Sequence, residues 1–173
     1  MKKKTLAVLL SATLVTSSTT TVFAKDITVT IPNYASDEGN SNLPEAAETV
    51  TNSDGSTSYT LDKKQQKKWK KYLKSSFDDS IKEILDDDEN YPNVEDITYN
   101  DDMTEFEISF ASSDLAPSEY FIGFLPLFIA PVYQQVNGIA EKDVDYTLAV
   151  KDSSDGSETT QTYEENKSDW ESF

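Results

Sequence analysis

SDGSTSYTLDKKQQKKWKKYLKSSFDDSIKEIL, residues 53–85, reads as a hairpin turn and strand running directly into a helix. Asp54-Gly55 supplies the positive φ of a tight turn. The Thr-, Val- and Tyr-bearing flanks over residues 49–61 supply its strands. Asp62 followed by Gln65 is a capping-box start. Trp69, Leu73, Phe77, Ile81 and Ile84, with Tyr72 and Leu85, then make one apolar face at helical spacing, which predicts a helix over about 63–87.

Upstream, Ile27, Val29 and Ile31 alternate with Thr28 and Thr30 as a half-buried strand that Pro32 ends. Residues 33–47, polar with Gly39 and Pro44, read as a long exposed loop. Downstream of the helix, Pro92 closes a connection, and residues 94–99 and 104–111 flank Asn100-Asp101-Asp102-Met103 as a second hairpin. Its Phe106, Ile108 and Phe110 point inward beneath an acidic outer face.

A second helical segment is expected next, capped by Ser113 or Asp114, with Pro117 in its first turn and Asn137-Gly138 at its end. Its apolar middle, 120–133, carries Gly123, Pro126 and Pro131, so it should be kinked or broken. If that stretch were left exposed, Phe121, Phe124, Phe128 and Tyr133 would form a partner surface. Val144, Tyr146, Leu148 and Val150 alternate before Asp155-Gly156, and residues 160–163 return as a partner strand. Residues 164–173 read as a polar tail, frayed or loosely docked. The expected fold is α+β: an antiparallel sheet built from hairpins packs on two helical segments, the second kinked by prolines, with no parallel-sheet signal.

Lys2, Lys3 and Lys4 precede an apolar run from Leu6 to Val15 and the small-x-small triplet Val22-Phe23-Ala24. Residues 1–24 therefore read as a cleavable signal peptide leaving Lys25 first, and 25–163 as a single domain. The apolar run, about 10 residues, falls short of the roughly 20 needed to span a bilayer, so no transmembrane segment is expected. With no Cys there is neither a lipid attachment point nor a disulfide. The expected location is secreted, extracellular or associated with a bacterial, Gram-positive-like cell surface.

Losing the three signal lysines leaves 12 Lys against 32 acids, a formal charge of −20, which excludes general nucleic-acid binding. The chain has neither His nor Arg, so the usual general base, the commonest transition-metal ligand and the bidentate anion clamp are all missing.

Against this acidic background Lys63, Lys64, Lys67, Lys68, Lys70, Lys71 and Lys74 crowd the N-terminal half of the first helix, while Asp86, Asp87, Asp88 and Glu89 follow its C-terminal end. Both placements oppose the helix dipole, and Lys63/Lys67, Lys64/Lys68, Lys67/Lys71 and Lys70/Lys74 repel at i,i+4. The bland account is a solvated face balanced by the protein's other acids. The sharper one is a docking patch for an anionic cell-wall polymer or an acidic protein.

The acidic clusters 86–89, 95–96 and 101–102 offer hard oxygen ligands for Ca²⁺, but none has EF-hand spacing, and Asp152, Asp155, Gly156 and Glu158 are explained by a hairpin turn. No cofactor or resident metal is expected. No nucleophile elbow, metal motif or phosphate loop marks an active site. The functional reading is a non-enzymatic extracellular binding or surface-associated protein. The alternative is a carboxylate-based hydrolase acting on extracellular polymer, chemistry that needs no His.

ITVTIP at 27–32, SDGSTSYTLD at 53–62, YPNVEDITYNDDMTEFEISF at 91–110 and YQQVNG at 133–138 together resemble a group of uncharacterised secreted proteins and lipoproteins of Firmicutes, clostridial gut bacteria in particular. The resemblance implies an extracellular or cell-surface location and no particular activity. Several of those proteins carry a lipobox Cys, which this chain lacks.

Overall fold

The computed structural model describes residues 26–33 and 43–172, so the signal peptide and most of the 33–47 loop lie outside the described residues. The fold is α+β with two sheets. β1 (Ile27–Ile31), β2 (Glu48–Thr51) and β3 (Thr57–Leu61) form an antiparallel sheet in the order β1-β3-β2. β4 (Val94–Tyr99), β5 (Glu105–Phe110), β6 (Thr147–Asp152) and β7 (Ser157–Thr162) form the second in sequential order. Gly55 and Gly156 take the positive φ that the turns of the first and last hairpins require.

The single antiparallel sheet expected from the sequence is thus replaced by two, and β5 and β6 pair in parallel, Phe106 beside Leu148 and Ile108 beside Val150. The cause is connectivity. Between those strands lie the 3-10 turns Glu119–Phe124 and α2 (Leu125–Val136), and a helix between two strands returns the chain in its original direction.

α1 (Lys63–Leu85) begins as its cap predicts: Gln65 N–H donates to Asp62 Oδ1 at 2.7 Å and Asp62 N–H to Gln65 Oε1 at 2.9 Å. Trp69, Leu73, Phe77, Ile81 and Ile84 are its buried residues. At roughly 1.5–3 kcal/mol for each large apolar side chain, their burial outweighs the lysine repulsion, about 0.2–0.5 kcal/mol per pair.

The second helical segment is broken where the 3-10 turns give way to α2 before Pro126, whereas Pro131 lies inside α2 without ending it, and the segment starts later than expected. Neither Ser113 nor Asp114 caps it. Instead Glu119 folds back and accepts from the Ala116 N–H at 2.6 Å. The Glu119 carboxylate, 1% exposed, also accepts from the backbone N–H of Asn93 at 2.6 Å and from its Nδ2 at 2.9 Å. Pro126 occupies the start of α2, where a missing amide is tolerated. At the far end Gly138, φ +90°, donates to the Gln135 carbonyl at 2.8 Å while Ile139 N–H reaches the Gln134 carbonyl at 3.0 Å, a Schellman stop.

The polar tail is the clearest correction. Residues 163–171 form a third helix, α3 (Tyr163–Glu171), opened by a capping box in which Thr162 and Glu165 exchange hydrogen bonds. Its Trp170 packs edge-on against Phe124 at 5.4 Å and Phe128 at 5.2 Å, and its buried Asn166 donates to the Gly123 carbonyl at 2.9 Å. That contact divides the aromatic surface envisaged for Phe121, Phe124, Phe128 and Tyr133. α3 meets two of the four, Tyr133 is buried on another side, and Phe121 stays exposed beside Tyr120.

Candidate functional site

The lysines of α1 divide by helical geometry. Side chains at i, i+4 and i+7 share a face, which sets Lys63, Lys67, Lys70 and Lys74 along one flank of the buried stripe, with Lys71 beside them. Lys67, Lys70, Lys71 and Lys74 line a groove of about 610 Å³ together with Ser75, Asp78, Asp101, Asp102 and Tyr133. Lys63, Lys64 and Lys68 are exposed on the same helix but do not line it.

Two aromatic rings meet these lysines. Lys70 Nζ stands 5.5 Å from the centroid of the Tyr133 ring, and Lys74 Nζ 5.8 Å from that of Tyr99. Lys74 also pairs with Asp101 of the β4–β5 turn at 2.7 Å. The bond to Asp101 raises the Lys74 pKa, and its reciprocal lowers that of Asp101. Among the described residues no ion pair engages Lys67, Lys70 or Lys71, although the charge of Lys70 also acts on Asp101. Asp78 accepts from the Tyr99 hydroxyl; burial first, then this bond, pushes the Tyr99 pKa up.

The β4–β5 turn that supplies the acids is held firmly. Asn100 Oδ1 accepts from the N–H of Thr104 at 2.9 Å, and Met103 adopts φ 54° with its side chain fully buried. Sequence reading found the lysines through composition and the turn through Asn100-Asp101-Asp102-Met103. It did not bring them together, because the 27 residues separating Lys74 from Asp101 carry no pairing signal.

A second groove lies on the other flank of the α1–α2 contact. It encloses about 300 Å³ and is lined chiefly by apolar side chains, among them Ile31, Tyr72, Phe77, Phe128 and Val132, with Ser76 and Ser80 at its edge.

The acidic clusters are engaged locally. Asp86 pairs with Lys82, Asp87 accepts from Asn90, and Asp152 and Asp155 accept from Ser154 and Ser157 within their turn. Among the described residues no group of three or more acids is placed to hold a metal ion. Among the described residues Asp54, Asp87, Asp101, Glu119, Asp155 and Glu165 have carboxyl pKa values displaced downward. Among the described residues no helix is long and apolar enough to cross a membrane.

No protein-family model, curated protein or solved structure matches this chain. The groove's own chemistry therefore carries the functional reading.

Proposed function

We propose that the chain is an extracellular binding protein that associates with the bacterial surface by docking an anionic cell-wall polymer in the α1 groove. The observation that carries this reading is the clustering of Lys67, Lys70 and Lys71, without ion pairs among the described residues, in one groove of an otherwise strongly acidic protein. Such a local field attracts a polyanion that the remaining surface repels, and salt weakens the attraction within a Debye length of about 8 Å.

The test is co-sedimentation of the protein with purified Gram-positive cell walls at low and high salt. Binding at low salt that is lost at high salt, and lost in a variant with Lys67, Lys70 and Lys71 all changed to Gln, supports the reading. Binding that survives those substitutions, or no binding at either salt, overturns it.

A further inference from the structure

The lysine groove carries both signs of charge. Lys67, Lys70, Lys71 and Lys74 line it together with Asp78, Asp101 and Asp102. Eleven helical residues separate Lys67 from Asp78, about 16 Å at 1.5 Å per residue. Within it Lys74 and Asp101 pair at 2.7 Å. What remains is Lys67, Lys70 and Lys71, without ion pairs among the described residues, and an exposed Asp102 that is likewise outside any ion pair there.

A uniformly negative chain laid in this groove satisfies the lysines and meets like charge at Asp78 and Asp102. Juxtaposed like charges are the ordinary means by which a surface rejects a partner. The formal charge of −17 on the whole chain adds to that repulsion. A chain that carries ammonium groups as well as anions satisfies both the lysines and the acids. Diester phosphates suit the lysines because ammonium groups meet them as point charges, with no need of the forked geometry that arginine supplies.

We propose that the groove selects a zwitterionic phosphodiester polymer, with phosphates against Lys67, Lys70 and Lys71 and ammonium groups against Asp78 and Asp102. This rests on the cell-wall polymer reading and narrows it to one charge pattern.

The test titrates the protein with poly(glycerol phosphate) bearing alanyl esters, and with the same polymer after mild base has removed those esters, at equal phosphate. The aminoacylated polymer should bind about fivefold tighter, the factor supplied by one exposed ion pair at the upper end of its range. Asp102→Asn should erase the preference and retain affinity for the stripped polymer. Equal or tighter binding of the stripped polymer, or a preference that persists in an Asp78→Asn/Asp102→Asn double variant, overturns the inference and leaves the cell-wall reading standing. Binding to neither polymer overturns both.

Discussion

Gln134 and Gln135 are neighbours in α2, yet their side-chain amides hold two different sheets. Gln135 accepts from the Thr30 N–H at 2.9 Å and donates to the Thr30 carbonyl at 3.1 Å, closing the open edge of β1 as a partner strand would. Gln134 donates to the carbonyls of Met103 at 2.8 Å and Asp145 at 2.7 Å and accepts from the Asp145 N–H at 3.2 Å, fixing the β4–β5 turn and the entry to β6. Both side chains are 3% exposed.

Gln134→Leu therefore strands three backbone groups and should destabilise the fold by about 2–3 kcal/mol, since a buried polar group left unpaired costs roughly 1–3 kcal/mol. Gln135→Leu strands the N–H and carbonyl of Thr30, while the Pro131 carbonyl that it also meets lies inside α2, and should cost about 1–2 kcal/mol. Urea denaturation measures both. A loss below about 0.5 kcal/mol for Gln134→Leu would show that water replaces the amide without penalty.

Glu119 makes stability depend on pH. Burial pushes its pKa up, but hydrogen bonds from the Asn93 side chain and from the N–H groups of Ala116, Asn93 and Val94 outweigh that and leave it below the ordinary value of 4.5. A carboxyl depressed on folding contributes stability that is present above its unfolded pKa and is lost as pH falls through its folded one. Glu119→Gln should lower stability at neutral pH by about 1–3 kcal/mol and flatten the acid limb of the stability curve below about pH 4.5. A variant with an unchanged acid limb would place the acid sensitivity elsewhere.

The elements that local patterning encodes were legible in the sequence. The Asp62/Gln65 cap, the five buried positions of α1 and the Asn137-Gly138 stop depend on residues within a turn or two of each other. Pairing between β5 and β6 was not, because apolar alternation fixes which face of a strand is buried and says nothing about the direction of its neighbour. α3 was missed for a different reason. Its Thr162-x-x-Glu165 cap and the spacing of Tyr163, Asn166 and Trp170 were readable, but a polar composition concealed a helix whose docking rests on few side chains. For the groove, composition picked out the lysines, whereas the acids that line it with them emerged only from the contact between α1 and the β4–β5 turn.

Trp170 should decide whether α3 stays docked. A nine-residue helix is too short to persist alone, so its order depends on packing against Phe124 and Phe128. Trp170→Ala removes a partly buried ring and should cost about 2 kcal/mol, below the 3–5 kcal/mol of a fully buried one. Binding of an apolar dye should rise as Phe124 and Phe128 open. A variant that loses stability without gaining dye binding would show that the aromatic pair closes over itself.

The lysines of the groove oppose the stability of the helix that carries them. Lys67/Lys71 and Lys70/Lys74 are like-charge neighbours at i,i+4, and the first turn of α1 holds no acid to complement the dipole. Changing Lys67, Lys70 and Lys71 to Gln relieves about 0.2–0.5 kcal/mol per repelling pair and forfeits the Lys70–Tyr133 contact, about 0.5–1 kcal/mol at an exposed position. The two nearly cancel, so the triple variant should keep its melting temperature within about 2 °C of the parent, given that 1 kcal/mol corresponds to roughly 2–8 °C in a domain of this size. Retained stability with lost cell-wall binding separates what the lysines do for a ligand from what they do for the fold. A marked drop in melting temperature would instead make them structural, with Lys70 and its ring contact as the first place to look.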